Sequence, residues 1–163
     1  MIVLGIDPGT ASTGYGVLKF NGSQKPELID SAVISTPAGI AMSKRLRMLY
    51  ENLHELMKVH TPEVMVIERL FFNTNVKTAM SVGQARGIPL LVAAHYDVQI
   101  IEYTALQAKQ VLTGYGRANK KELQSAVKQF MNLEEILRPD DANDAVAMGL
   151  CYFHKDYIKV KVK

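Results

Sequence analysis

The sequence predicts an α/β protein built on a mixed five-stranded sheet with helices on both faces. Three observations predict it. Apolar runs near the start are separated by turn residues, later apolar runs alternate with helical periodicity, and the last third reads as helix almost throughout. The order is β-β-β-α-β-α-β followed by helices.

Strands are expected at about 1–7, 13–20 and 27–35, with Pro8 and Gly9 turning the chain after the first and Asn21-Gly22 after the second. Residues 40–60 then carry Leu46, Leu49, Leu53, Leu56 and Met57 on one helical face. Pro62 ends that helix, and Val64–Ile67 reads as a short buried strand running into Glu68. A helix over 75–95 has small residues at Ala79, Gly83 and Gly87, with Pro89 expected to kink it. Val98–Tyr103 makes the fifth strand. Helices follow at about 104–112, 119–132 and 140–155. Nothing marks a linker or repeat, so 1–163 reads as a single domain with a basic tail.

The 163 residues are 48% hydrophobic and 21% charged, the balance of an ordinary globule. No apolar run is long enough to span a bilayer and no basic-then-apolar leader opens the chain, so an intracellular, cytoplasmic protein is expected. Cys151 is the single cysteine and falls in an apolar helical stretch, which makes it a buried bystander. The four histidines, His54, His60, His95 and His154, follow no paired ligand spacing. The net charge is only +3, but its distribution is uneven. Lys109, Arg117, Lys120, Lys121 and Lys128 precede an acidic knot of Glu134, Glu135, Asp140, Asp141 and Asp144. Basic surroundings about an acidic centre suit an enzyme that holds a polyanion while binding metal, although a solvated helix face has the same composition.

Two acids stand where apolar strands end. Asp7 closes "MIVLGID" and Glu68 closes "VMVIE". An ionised side chain at such a position is costly unless something pairs with it. Asp7 fits a turn cap, the Asp-x-Gly-Thr loop of nucleotide-binding kinases and ATPases, or a metal-dependent nuclease. Arg69 follows Glu68 directly, and consecutive strand residues point to opposite faces. In "RPDDANDAVAMG", Asp140 is expected as the helix N-cap, and Asp141 and Asp144 share a face three residues apart. Ala142, Ala145 and Gly149 are small enough for that helix to approach the sheet closely. Like charges about 4 Å apart repel by roughly 4 kcal/mol at an effective dielectric near 20. If the four acids converge, a cation occupies the site or they are protonated. Hard oxygen donors favour Mg²⁺ or Mn²⁺.

Five stretches, in order and spacing, resemble the RuvC Holliday-junction resolvases: "GIDPGTASTGYGVL", "VIERLFF", "SVGQARG", "KQVLTGYGRANK" and "DDANDAVA". The resemblance runs along almost the whole chain. It implies a ribonuclease-H-like fold, a homodimer, and a nuclease that cuts four-way DNA junctions by paired symmetric nicks leaving 5′-phosphates. It further implies that Asp7, Glu68, Asp141 and Asp144 are the catalytic, metal-binding acids, with two Mg²⁺ ions replaceable by Mn²⁺. Lys109 and Lys120 match basic positions the family uses on DNA, and Arg117 and Lys121 flank Lys120. Phe71 is the candidate for stacking on an opened base, Phe71 or Phe72 being alternatively a core residue. The stripe Ala79, Gly83 and Gly87, with Val76 and Met80 beside it, is the candidate dimer contact, or else packs on its own sheet. Assembly with the RuvA–RuvB branch-migration motor is implied as well. Actin-like ATPases and sugar kinases share the opening motif but need two such domains. A related nuclease acting on another branched DNA or an RNA–DNA hybrid, and a non-catalytic nucleic-acid-binding module, are the other readings.

Overall fold

The computed structural model describes residues 1–69 and 76–158, and within that span the order of elements is the expected one. Strands β1 (Ile2–Asp7), β2 (Ser12–Lys19) and β3 (Glu27–Ser35) form an antiparallel meander. Helix α1 (Met42–His60) returns the chain to β4 (Val64–Glu68), which pairs parallel with β1. Helix α2 (Val76–His95) leads to β5 (Gln99–Tyr103), parallel to β4. The sheet order is therefore β3-β2-β1-β4-β5. Helices α3 (Ala105–Thr113), α4 (Lys120–Met131) and α5 (Asp140–Tyr152) complete the chain before a π-helical turn at Phe153–Tyr157.

The period-two alternation of strands divides the core into two halves. Val3, Leu18, Val64 and Val66 face Ala108 of α3, Leu123 and Val127 of α4, and Val146 and Leu150 of α5. Their neighbours Leu4, Ile6, Val17, Met65 and Ile67 face Leu49 and Leu53 of α1 and Ala85 and Val92 of α2. The same alternation decides where the acids go. Asp7 follows Val3 and Gly5 in parity, and Glu68 follows Val64 and Val66. Both carboxylates belong to the α5 face.

Glycines let α5 lie directly on the strand backbones. A methyl group at Gly5 would run into the carbonyl of Ala145, and one at Gly14 into the carbonyl of Asp141. The expected small residues on the helix, Ala142 and Ala145, complete the contact from their side, both fully buried.

One expectation is corrected. Asp140 is not the N-cap: Pro139 holds that position, and Asp140 is the first helical residue. Its carboxylate instead accepts hydrogen bonds from Gln124 Nε2 at 2.8 Å and Arg138 Nη1 at 3.0 Å. The last helical stretch, expected to about residue 155, is α-helical to Tyr152 and continues as a π-helical turn to Tyr157. The wider turn that follows sets Phe153 and Tyr157 around Phe20, each with ring centroids 5.0 Å from it. Cys151 is buried, as expected, and burial pushes its thiol up to about 12. His154 is half-buried between the rings of Phe130 and Phe153, and burial lowers its pKa. Phe71 and Phe72 lie outside the described residues, as does the basic tail from residue 159.

Candidate active site

The turn after β1 is held by threonines. Thr13 Oγ1 donates to the Gly9 carbonyl at 2.7 Å and accepts from the Gly9 amide at 3.3 Å. Thr10 Oγ1 donates to the Ser81 carbonyl on α2 at 2.8 Å, while the Thr10 carbonyl accepts from Thr36 Oγ1 at 2.6 Å. Thr10, Thr13 and Thr36 are all buried, so these bonds replace those that water would make. Asp7, the last residue of β1, thus leads into an anchored turn.

Asp7 and Glu68 sit side by side at the carboxyl ends of neighbouring parallel strands and share a hydrogen bond. Burial, then the charge of Glu68, then those of Asp144 and Asp141, push Asp7 up to about 8. Burial also raises Glu68, with Lys109 on α3 acting against the rise. Burial raises Asp144 too, opposed by Lys120. The four carboxylates expected from the sequence therefore gather in one place. The cost shows in Asp7, Glu68 and Asp144, whose protons are held above the ordinary carboxylate range, chiefly by burial.

The two helical acids are held differently. Ser12 Oγ, at the start of β2, donates a hydrogen bond to Asp141 Oδ2. Asp144 Oδ2 lies 3.8 Å from Lys120 Nζ, but Asp144 Oδ1 is buried with no hydrogen-bond partner. Among the described residues no three His, Cys, Asp or Glu side chains close around a single point. All donors are carboxylate oxygens, and the orphaned Asp144 Oδ1 needs a partner. Both facts fit a hard divalent cation.

The basic residues divide. Asn119 caps α4 through the amide of Glu122, which fixes Lys120 as the first residue of the helix. From there Lys120 Nζ reaches Asp140 Oδ2 at 3.1 Å, holding Asp140 below the usual carboxylate range. A depression of about 600 Å³ lined by Lys120, Arg138, Pro139, Asp140 and Asp141 opens beside the acids. Lys109 is near enough to influence Glu68. Lys121 instead lines a depression between α3 and α4, and Arg117 is exposed in the loop between those helices. Arg138 and Ser12 were not singled out from the sequence. Arg138 could have been found from "RPDD", where a cation precedes two acids; nothing in the sequence marked Ser12.

Arg69 does not pair with Glu68. Its Nη2 lies 3.4 Å from Glu102 Oε2 on β5, consistent with the opposite orientation of successive side chains.

On α2, Gly83 and Gly87 are exposed, as are Met80 and Leu91, 62% and 58% accessible. Buried Ala85, Val92 and Ala93 form the face toward the sheet. The stripe of small residues is thus on the outer side of the helix.

The family model for crossover junction endodeoxyribonuclease RuvC matches residues 3–152. A RuvC of Alkaliphilus oremlandii is 46% identical over 154 residues, covering 94% of this chain and 93% of that protein. One of Clostridioides difficile is 42% identical over 163 residues, covering 100% of this chain and 96% of its own. The structure of T. thermophilus RuvC in complex with a Holliday junction substrate superposes with a TM-score of 0.91 at 31% identity, covering 98% of this chain and 96% of that one. The yeast mitochondrial Holliday junction resolvase Ydc2 shares the fold, with a TM-score of 0.70 at 14% identity. The fold is ribonuclease-H-like, and the chain belongs to the RuvC family of crossover junction endodeoxyribonucleases.

Proposed function

We propose that this protein resolves Holliday junctions as a metal-dependent endodeoxyribonuclease, making paired symmetric nicks during DNA recombination and repair. The observation that carries the reading is the convergence of Asp7, Glu68, Asp141 and Asp144 at one sheet edge, with Asp7 pushed up to about 8 by burial and by the other three. A protein has little reason to gather four acids at that cost unless a cation and a phosphate meet there.

The four acids would hold the metal, with Asp7, which lies beside Glu68 and feels both helical acids, at the centre of the set. Two Mg²⁺ ions, replaceable by Mn²⁺, supply water activation and stabilisation of the departing 3′ oxygen when bound. The chain's own part is placement. The threonine-pinned loop fixes Asp7, the sheet fixes Glu68, and glycines bring α5 close enough for Asp141 and Asp144 to face them. Lys120 and Lys109 offer positive charge at the rim for the phosphates flanking the cut, with Arg117 and Lys121 further along the backbone path. Phe71 stacks on an opened base at the crossover.

Two cuts in symmetry-related strands call for two sites, and a homodimer supplies them. Its contact is the outer face of α2. Each copy is a single domain. No helix among the described residues is long and apolar enough to cross a membrane, and the protein works in the cytoplasm with the RuvA–RuvB branch-migration motor.

The test incubates the protein and Mg²⁺ with a four-way junction, a matching linear duplex and an RNA–DNA hybrid. Selective paired nicking of the junction, with 5′-phosphate ends, is expected. Equal cleavage of the duplex or preference for the hybrid overturns the junction reading.

A further inference from the structure

The stretch "SVGQARG" carries an arginine, Arg86, that the metal-binding acids do not use. Arg86 lies on α2, on the face of the sheet opposite Asp141 and Asp144. Its side chain is 22% accessible and forms an ion pair through Nη2 with Glu102 Oε1 on β5. Its Nε lies 3.4 Å from the backbone carbonyl of Glu68. Glu102 pairs in register with Ile67, so it stands beside the residue preceding Glu68 and on the α2 side. Arg69 reaches the same carboxylate from the far side of Glu68.

These contacts converge on one peptide unit. The Arg69 amide donates to the Tyr103 carbonyl at 2.7 Å, while the Glu68 carbonyl accepts from Arg86. A peptide group is planar, so holding its N–H at one end and its C=O at the other fixes the plane. That plane sets the backbone angle at Glu68 and hence the direction of its side chain. Arg86 can hold the carbonyl with Nε and the Glu102 carboxylate with Nη2 simultaneously because the guanidinium is a rigid fork; a lysine ammonium cannot span both in the same way.

Resting on the metal-site reading above, we infer that Arg86 is a positioning residue: from behind the sheet it orients the Glu68 carboxylate for the divalent ion. It touches neither the metal nor DNA. Outer partners of metal ligands commonly change metal affinity or activity by about 10–100-fold when removed.

The test compares Arg86→Lys, Arg86→Ala and Glu102→Gln with the parent protein. Mn²⁺ affinity is measured by calorimetry without DNA, melting temperature in EDTA, and kcat and KM on a four-way junction. About a tenfold or greater loss of Mn²⁺ affinity in Arg86→Lys, with a fall in kcat at unchanged KM and an unchanged EDTA melting temperature, is expected. Arg86→Ala should match or exceed that loss, and Glu102→Gln should lie between Lys and parent. Mn²⁺ affinity within twofold of the parent in Arg86→Lys overturns the inference, as does an affinity loss accompanied by a proportionate drop in EDTA melting temperature. If Arg86→Ala does not fold, Arg86→Lys decides alone. A parent that binds Mn²⁺ yet cuts no junction overturns the substrate assignment while leaving the Arg86 comparison decisive; a parent that binds no Mn²⁺ overturns both.

Discussion

Lys120 Nζ lies 3.8 Å from Asp144 Oδ2 and its side chain is half exposed, so one cation both faces solvent and borders the acids. An exposed pair of this kind stabilises a fold by no more than about 1 kcal/mol. Its place at the rim argues for a functional role. Lys120→Ala should lower junction cleavage about tenfold or more while shifting the melting temperature only slightly. Cleavage at the parental rate at every Mg²⁺ concentration would remove Lys120 from the site.

The acids make a prediction about pH. In the unfolded chain Asp7 releases its proton near 3.8, whereas the folded, metal-free protein holds it to about 8. Glu68 and Asp144 are shifted in the same direction, chiefly by burial. The native state therefore binds more protons across that window, and stability falls as pH rises through it, levelling off above about 8. Divalent metal relieves the repulsion, so the rise in melting temperature on adding Mg²⁺ should be larger at pH 8.5 than at pH 6. Asp7→Asn should flatten the metal-free pH dependence, keep junction binding and abolish cleavage. A metal-free melting temperature that climbs between pH 5 and pH 8 would contradict this account.

The close seating of α5 on the sheet predicts a sharp response to one methyl group. At Gly14 it would meet the Asp141 backbone carbonyl, which cannot step aside as a flexible side chain would. Overpacking typically costs about 1–3 kcal/mol, and a backbone clash belongs at the upper end. Gly14→Ala should lower stability by about 3 kcal/mol in urea denaturation and, where folded, weaken cleavage by displacing Asp141. Parental stability in Gly14→Ala would show that the helix shifts freely.

The outer face of α2 makes the quaternary prediction. Met80 and Leu91 are large exposed apolar residues flanking the exposed Gly83 and Gly87. Sedimentation at micromolar concentration should give twice the 18.1 kDa chain mass. Leu91→Glu should yield a folded species of single mass whose concerted paired nicking is lost. A Leu91→Glu protein that remains dimeric would move the contact off this face.

Much of this architecture was legible in the chain because it depends on local pattern. Continuous apolar runs marked β1 and β4, and the acids at their ends broke the pattern where burial made a charge conspicuous. "DDANDAVA" placed two more acids on one helical face with small residues behind them. The Asp140 cap was misread for a local reason as well: an Asp before a helix resembles a cap, but Pro139 already occupies that position and Asp140 is drawn to Gln124, Arg138 and Lys120.

The sequence by itself determined the order of elements, the five-stranded α/β class and the four acids, since periodicity and the cost of burying charge act within a few residues. Only the tertiary structure decided that Asp7 and Glu68 share the α5 face, that Ser12 holds Asp141, and that Lys120 sits against Asp144. It alone put Arg86 behind Glu68 on the opposite side of the sheet. Those relations join residues from 18 to 129 positions apart. They depend on strand register and on how closely one helix can approach a glycine-lined sheet, which no local pattern encodes.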